Sequence, residues 1–341
     1  MTPTYARTTT LLQIAGPKTY RLASKKLFYF NDEQPGYGGN LQNIEKSQRQ
    51  KFEADEGKLL CQCDQSWADA FVVACLMPKG NKLRELFENK VKIHNYLGVT
   101  FPEQWQDRFQ MVKDFISIPI SELKSHPDWP AFTKAVSESD DNPPATRYYY
   151  HYKQTGHSAN YGIMANTFQE NILLKSGGRV RLSRQQAEYY LRGYHALIPE
   201  IRNNFHRYVE HCYNRDQTLH TLQGFPIHLT QKIFPGQYNK IYDKIPQATV
   251  AIITHQAVIK WQSFVEEHKL KWDLLTNTHD SYLCQAPSGE IGECAKKMKE
   301  FMEQSLTNQY GETFTMRSEC QVGKNWAPFK KDKNEEGLKT V

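Results

Sequence analysis

Nowhere in these 341 residues do roughly 18 apolar residues run together, and the opening MTPTYARTTT has no apolar core of a signal peptide. Neither a membrane span nor a secretory leader is therefore expected, and the cytoplasm is the expected location. Cysteine is sparse and unpatterned: Cys61, Cys63, Cys75, Cys212, Cys284, Cys294 and Cys320 include no CxxC pair. That spacing argues against a structural zinc and for reduced thiols. Charge of one sign is also lacking, because 43 basic and 37 acidic residues leave only +6. Such an excess is compatible with a polyanionic partner but too mild to name one. No repeat period stands out. The closing KKDKNEEGLKTV, from Lys330, mixes charges without an apolar period and reads as a solvated or frayed tail.

What is present is ordinary globular material, with 39% hydrophobic and 12% aromatic residues, in a chain long enough for two coupled subdomains. Ser183 opens the clearest helix, with Gln186 placed to complete a capping box. Ala187, Tyr190, Leu191, Tyr194, Ile198, Ile201, Phe205, Tyr208, Val209 and Cys212 then recur at helical spacing as a core stripe, with a bend or break at Pro199. The stretch SESDDNPPAT, from Ser137, reads as a loop between two helical regions. LLCQCD reads as a short strand ending at Asp64, followed by the helix-like ADAFVVACL. DLLTNTHDSYLCQAP places Asp280 near the turn between two strand-like runs.

Two acids at strand ends suit one kind of chemistry. Phosphoryl transfer needs divalent cations more than it needs covalent help from the protein, and Mg²⁺ takes one or two carboxylates with water and substrate phosphates completing its shell. An isolated strand-end aspartate is more often a turn residue than a ligand, so the surrounding motifs must decide.

CDQSWADAFVVA around Asp64 resembles the D-Y-S-Q-x-E-x-R motif of family A DNA polymerases, the family that includes bacterial DNA polymerase I. Asp64 and Ser66 are kept, Gln65 and Trp67 depart, and Asp69 stands where that family usually has glutamate. Lys153-Gln-Thr-Gly-His157-Ser-Ala-Asn-Tyr161-Gly162 resembles its K-x-x-x-F/Y-G-x-x-Y-G helix, with His157 and Ser158 as departures. On a helix Lys153, His157 and Tyr161 share one face. The family's arginine one turn earlier falls at Tyr149, leaving Arg147 as an approximate substitute. Ile93-His94 is similar to the D-I-H segment, and Thr278-His279-Asp280-Ser281 to H-D-E, with serine as the last residue. Thr19-Tyr-Arg21-Leu-Ala-Ser24 resembles T-G-R-L-S-S, and Asn40-Leu41-Gln42-Asn43-Ile44 matches N-L-Q-N-I. Ile245-Pro-Gln247-Ala-Thr resembles a Q-G-T helix, and Glu319…Gly323-Lys-Asn325-Trp326 the terminal V-E-x-x-x-G-x-N-W. The set is collinear from Thr19 to Trp326.

The resemblance implies a template-directed DNA polymerase core that adds dNTPs to a primer on primer-template DNA. It implies two Mg²⁺ ions, replaceable by Mn²⁺, on Asp64, Asp280 and the Gln65 backbone carbonyl. Lys153, His157, Tyr161, Asp69, His94 and Arg147 would meet the nucleotide, with Asp69 as sugar gate. Arg21, Asn40, Gln42, Asn43, Gln247 and His279 would meet DNA. The implied fold is α+β: a right-hand palm with an antiparallel sheet, residues 1–79 and 233–326, helical fingers, residues 80–232, and a charged tail, residues 327–341. Too few residues precede Arg21 for a thumb or exonuclease, so either the chain is a fragment or these reside on a separate polypeptide, as in a phage-type split gene. The rival readings are a single-subunit RNA polymerase, disfavoured by Asn40–Ile44 and by an acid at 69, and a catalytically idle DNA-binding subunit, disfavoured by Asp64, Lys153, Tyr161 and Asp280.

Overall fold

A computed structural model describes residues 11–13, 19–21, 23–25, 42, 44, 48–229 and 231–341. Asn40 and Asn43 lie outside the described residues. The chain divides into two compact units, one holding residues 70–219 and 230–243, the other residues 1–69, 220–229 and 244–341. It is an α+β protein, with helices in the first unit and an antiparallel sheet carrying helices in the second.

In the helical unit, α1 (Ile93–Leu97), α2 (Tyr148–Asn160) and α3 (Arg184–Leu197) pack on one another. Ser183 caps α3 through the capping box its sequence spells, the Ser183 hydroxyl accepting from the Gln186 amide at 3.1 Å. The stripe breaks at Pro199 as its ring requires, and a wide-turn segment, Ile201–His206, leads into a further helix, Arg207–Asp216. Ala187, Tyr190, Leu191, Tyr194, Ile198, Ile201, Phe205 and Val209 are buried, whereas Tyr208 and Cys212 at the rim are half-buried. Between α2 and α3 lies an aromatic core in which Phe101 stacks on Tyr152 at 5.6 Å and Trp105 donates to the Tyr152 hydroxyl at 2.9 Å. Each well-oriented ring pair of this kind contributes about 0.5–1.5 kcal/mol beyond area burial. Gly193 permits it, since a Cβ there would stand 2.5 Å from the Phe101 ring.

The last turn of α2 is held from two sides. Tyr194 donates to the Asn160 side chain at 2.6 Å, and a ring nitrogen of His206 lies 2.8 Å from the Asn160 carbonyl. His206 in turn stacks flat on Tyr242 at 3.9 Å. Burial lowers His206 to about 4, so it stays neutral at pH 7.

The sheet unit is built on β1 (Lys58–Gln65), β2 (Asp273–Asn277), β3 (Ser281–Pro287), β4 (Ser318–Gly323) and β5 (Lys339–Thr340), in the order β5-β4-β1-β3-β2, every pair antiparallel. Helix α4 (Lys244–Glu267) packs on α5 (Ile291–Met302), which covers β1 and β4. Period-two alternation sorts β1 by face. Cys61, Cys63 and Gln65 are buried on one face, while Leu60, Gln62 and Asp64 take the other. Cys61, Cys63, Cys284, Cys294 and Cys320 serve the core as small buried free thiols, and burial pushes Cys294 up to about 12. The opposite face has its own small core of Ala54, Leu60, Leu283, Trp326 and Leu338.

Leu338 belongs to the segment expected to fray. That expectation is corrected here: β5 pairs with β4, and the Asn325 and Asn334 side chains exchange hydrogen bonds at 2.8 and 3.1 Å. One buried leucine and one amide pair dock the tail, and neither produces an apolar period.

Gly162 generates a stability prediction. It has φ +64°, and a Cβ would stand 2.8 Å from the Tyr242 ring. Gly162→Ala is expected to cost about 1–3 kcal/mol through backbone strain and overpacking, read as a lowered melting temperature. An unchanged melting temperature would show that the helix end yields freely.

Candidate active site

The site begins with register. Pairing of β1 with β3 and β4 sets Asp64 opposite Ser281 on one side and Glu319 on the other. Directly opposed residues in antiparallel strands share a face. The Gln65 amide donates to the Asp280 carbonyl at 2.9 Å, which fixes Asp280 beside the end of β1. Asp280 sits in a tight turn: its own amide donates to the Thr278 carbonyl at 2.9 Å, and His279 takes φ +68° with its amide donating to the Asn277 side chain at 3.2 Å. Ser281 is 2% exposed, hydrogen-bonds Thr278 through its hydroxyl and accepts from Gln62 at 3.2 Å. In this chain that position braces the turn.

Charge is crowded at this sheet end. Burial, then the neighbouring Asp280 and Glu319 carboxylates, raise Asp64 above the ordinary aspartate value, opposed by the Arg49 guanidinium. Burial likewise raises Asp280, with Asp69 adding to the effect; the hydrogen bond to its own backbone and Arg21 oppose it. Solvent reaches one side of Asp64 and screens part of the repulsion. Arg49 is an addition from the structure, and Glu319, so far only a motif residue, is placed beside Asp64 by strand register. Arg49 lies 4.6 Å over the Trp326 ring and donates to the Ile44 carbonyl at 3.4 Å.

The donor set fits a hard divalent cation. It is all oxygen, carries excess negative charge, and sits at the exposed end of a rigid sheet. Among the described residues no group of three or more His, Cys, Asp or Glu side chains could hold an ion by itself, so water and substrate oxygens would complete the shell. The Gln65 side chain is committed elsewhere, donating to the Val250 carbonyl at 3.0 Å and the Thr254 hydroxyl at 2.6 Å. That anchorage aligns the backbone carrying Asp64.

Beyond β1 the chain turns sharply through Trp67, φ 58°, and Ala68, φ 20°, two left-handed non-glycine residues in succession. The turn delivers Asp69 into the first turn of the helix Ala68–Cys75. There Arg21 grips it, one guanidinium nitrogen donating to both carboxylate oxygens at 3.2 and 3.1 Å. The pair is largely shielded, with side-chain exposures of 23% and 14%. His279 is lowered by burial and then by Arg21. Gln42 donates to the Asn277 carbonyl at 3.1 Å, buttressing the turn that holds His279 and Asp280. Gln247, in the first turn of α4, is half-buried with no hydrogen-bond partner among the described residues.

The helical unit carries a second group. Lys153 and His157 are exposed on α2, and Tyr161 caps its end, its ring edge-on to His157 at 5.7 Å. His94 on α1 meets Tyr149 edge-on at 5.5 Å, and burial, Lys153 and Lys92 hold it down to about 4. Arg147 is the residue preceding α2, and its Nε donates to the Asn142 carbonyl at 2.8 Å. A cationic and aromatic helix face results, suited to phosphate and a flat base.

A family model described as DNA polymerase family A matches residues 144–328, which include Lys153 and Asp280. Among solved structures, the fold is similar to the POL domain of Pol1 from M. smegmatis in complex with DNA primer-template and dNTP, at 18% identity and a TM-score of 0.62, over 93% of this chain and 48% of that one. The chain thus spans about half the length of that solved protein. No curated protein matches. Among the described residues no helix is long and apolar enough to cross a membrane.

The raised carboxylates set a pH dependence. Asp64 and Asp280 bind protons more tightly in the folded chain than free aspartate does, so stability falls as pH rises from the ordinary aspartate value through their raised values. Without divalent cations, Asp64→Asn is expected to melt slightly above the wild type at pH 8, solvent at the exposed carboxylate screening much of the repulsion, with the gap closing towards pH 4. Mg²⁺ should raise the wild-type melting temperature at pH 8 and raise that of the variant less. A variant that melts below the wild type at pH 8 would contradict the repulsion.

Proposed function

The chain belongs to DNA polymerase family A, and we propose that it is a template-directed DNA polymerase core that extends a primer 3′ end with dNTPs. The observation that carries this reading is the row of carboxylates, Asp64, Asp280 and Glu319, brought to one sheet end by register. We assign about residues 1–79 and 233–326, which hold most of the sheet unit, as palm, and about residues 80–232, which hold most of the helical unit, as fingers.

Two divalent cations, Mg²⁺ or Mn²⁺ in its place, would be held by Asp64, Asp280 and the Gln65 carbonyl, and would lower the pKa of the primer hydroxyl and neutralise charge on the triphosphate. Lys153 presents its ammonium to triphosphate oxygens, where charge develops as the leaving group departs. His94, neutral at pH 7, can donate one hydrogen bond to the same phosphates. Tyr161 and His157 offer flat faces to the nascent pair, and Arg147 steadies the start of their helix. Gln247 and His279 face the DNA near the primer end, and Gln42 acts through the turn it braces; Asn40 and Asn43 remain DNA-binding assignments by resemblance. Minor-groove N3 and O2 acceptors are common to correct pairs, so amide and guanidinium donors there check geometry and leave sequence to the template.

Asp69 is the proposed sugar gate. Its side chain is one methylene shorter than glutamate, and the Arg21 grip compensates by restricting where the carboxylate can go. A net charge of only +6 offers few duplex contacts, so a separate polypeptide bearing a basic thumb or exonuclease is part of this proposal. The cytoplasm is the assigned location, that of the host cell if the source is a phage.

Primer extension with Mg²⁺ and separate dNTP or rNTP pools tests the reading. Asp64→Asn and Asp280→Asn should each lower nucleotide addition by about 10²–10³-fold or more while duplex binding is largely kept. Near-normal extension by either variant would defeat the assignment, and preference for rNTPs would favour an RNA polymerase.

Asp69→Ala should raise the rNTP-to-dNTP ratio of kcat/KM several-fold by opening space beside the 2′ position, and Arg21→Ala should move it in the same direction. If both ratios stay at the wild-type value, another residue is the gate.

A further inference from the structure

We propose that a lysine-lined recess on the helical unit, apart from the Lys153 face, binds the sugar-phosphate backbone of the single-stranded template; the template role rests on the polymerase reading above. The recess measures 360 Å³, and its walls include Lys90, Lys92, Asn95, Lys124, Trp129 and Lys134. The four lysines come from three segments, Lys90 and Lys92 sharing one connector. Lys90 sits at φ 54° in the turn after the helix Lys82–Glu88, and Lys92 is the residue preceding α1. Lys124 ends the helix Ile120–Leu123, and Lys134 lies within the helix Trp129–Glu138.

Gathering like charges around one recess leaves a positive field there that attracts an anion. Lys134 has Glu138 at 3.7 Å, an exposed pair worth little. Lys90, Lys92 and Lys124 have no carboxylate within ion-pair distance among the described residues. A second observation points to a ligand. Asn95 is 7% exposed, yet its Oδ1 is buried with no hydrogen-bond partner. Its Nδ2 makes no hydrogen bond among the described residues and is not shut off from solvent as Oδ1 is, so the NH₂ can be offered to a phosphate oxygen as it stands.

The recess also restricts what the ligand can be. All four lysines are exposed, and Trp129, 5% exposed, offers no free ring on which a base could stack. Such a site holds backbone phosphate without reading a base, as a template of arbitrary sequence requires. Lys92 and Asn95 flank His94 on α1, so one short helix contributes both to the recess and to the cluster around Lys153.

The test uses the full chain and the variant Lys90→Ala/Lys124→Ala/Lys134→Ala, whose exposed substitutions leave the core intact. Binding of a labelled oligo-dT is followed across a salt series. Affinity at low salt should fall about tenfold, and the log–log salt slope should shrink by roughly 2, because each single-strand phosphate contact contributes about 0.7. Primer extension on a template with a one-nucleotide overhang should be unchanged, while a long overhang should need more DNA for the same rate. Unchanged affinity and slope would overturn the proposal, as would equal losses on both templates, which would place the contact on duplex. Displacement of oligo-dT by inorganic phosphate or dTTP at equal phosphate concentration would overturn it in favour of a free-anion site. A wild-type chain that extends no primer would remove the polymerase reading and leave the oligonucleotide measurement to decide the recess.

Discussion

A single antiparallel register supports the acidic centre. Because β1 is flanked by β3 and β4, one strand position decides which residues Asp64 faces, and a slip of one residue would send Asp64 to the helix-covered side. Two features oppose the slip. Cys61 and Cys63 fill the space under α5, where Gln62 or Asp64 would bury an unpaired polar group. The Gln65 amide pair to α4 locks the following residue at two points. The carboxylates can repel one another only because this packing holds them in place.

The helical unit solves a different problem with different means. Lys153 and His157, the side chains proposed to meet the nucleotide, stay exposed, while α2 is fixed from behind by Tyr152, Thr155 and Gly156 and at its end by Tyr194 and His206. Gly162 then turns the chain away where any side chain would strike Tyr242. Several buried histidines here are held neutral, which keeps positive charge concentrated on the exposed lysines.

Much of this was legible in the sequence, for definable reasons. The strand carrying Asp64, the turn holding Asp280 between two strands, the capped helix at Ser183 and the break at Pro199 are local patterns, and local patterns survive folding. Glu319 was visible as a motif residue, but its place opposite Asp64 depends on strand register. Arg49 lies in a polar stretch with no periodicity, so nothing in the sequence links it to Asp64. The Arg21–Asp69 pair joins positions 48 residues apart. The tail was misread because its docking depends on Leu338 and an amide pair, which leave no compositional trace.

The two rims of the central sheet have a consequence for how the chain behaves among its own copies. On one side the last strand is only Lys339–Thr340, two exposed residues, one of them charged. On the other, β2 departs from regular pairing between Leu274 and Thr276, just where Leu274 and Leu275 are partly exposed. A short charged rim and a kinked one both deny a neighbouring chain the long flat ladder needed for edge-to-edge growth. A sheet that must keep one end open to solvent is thereby guarded along its sides against aggregation.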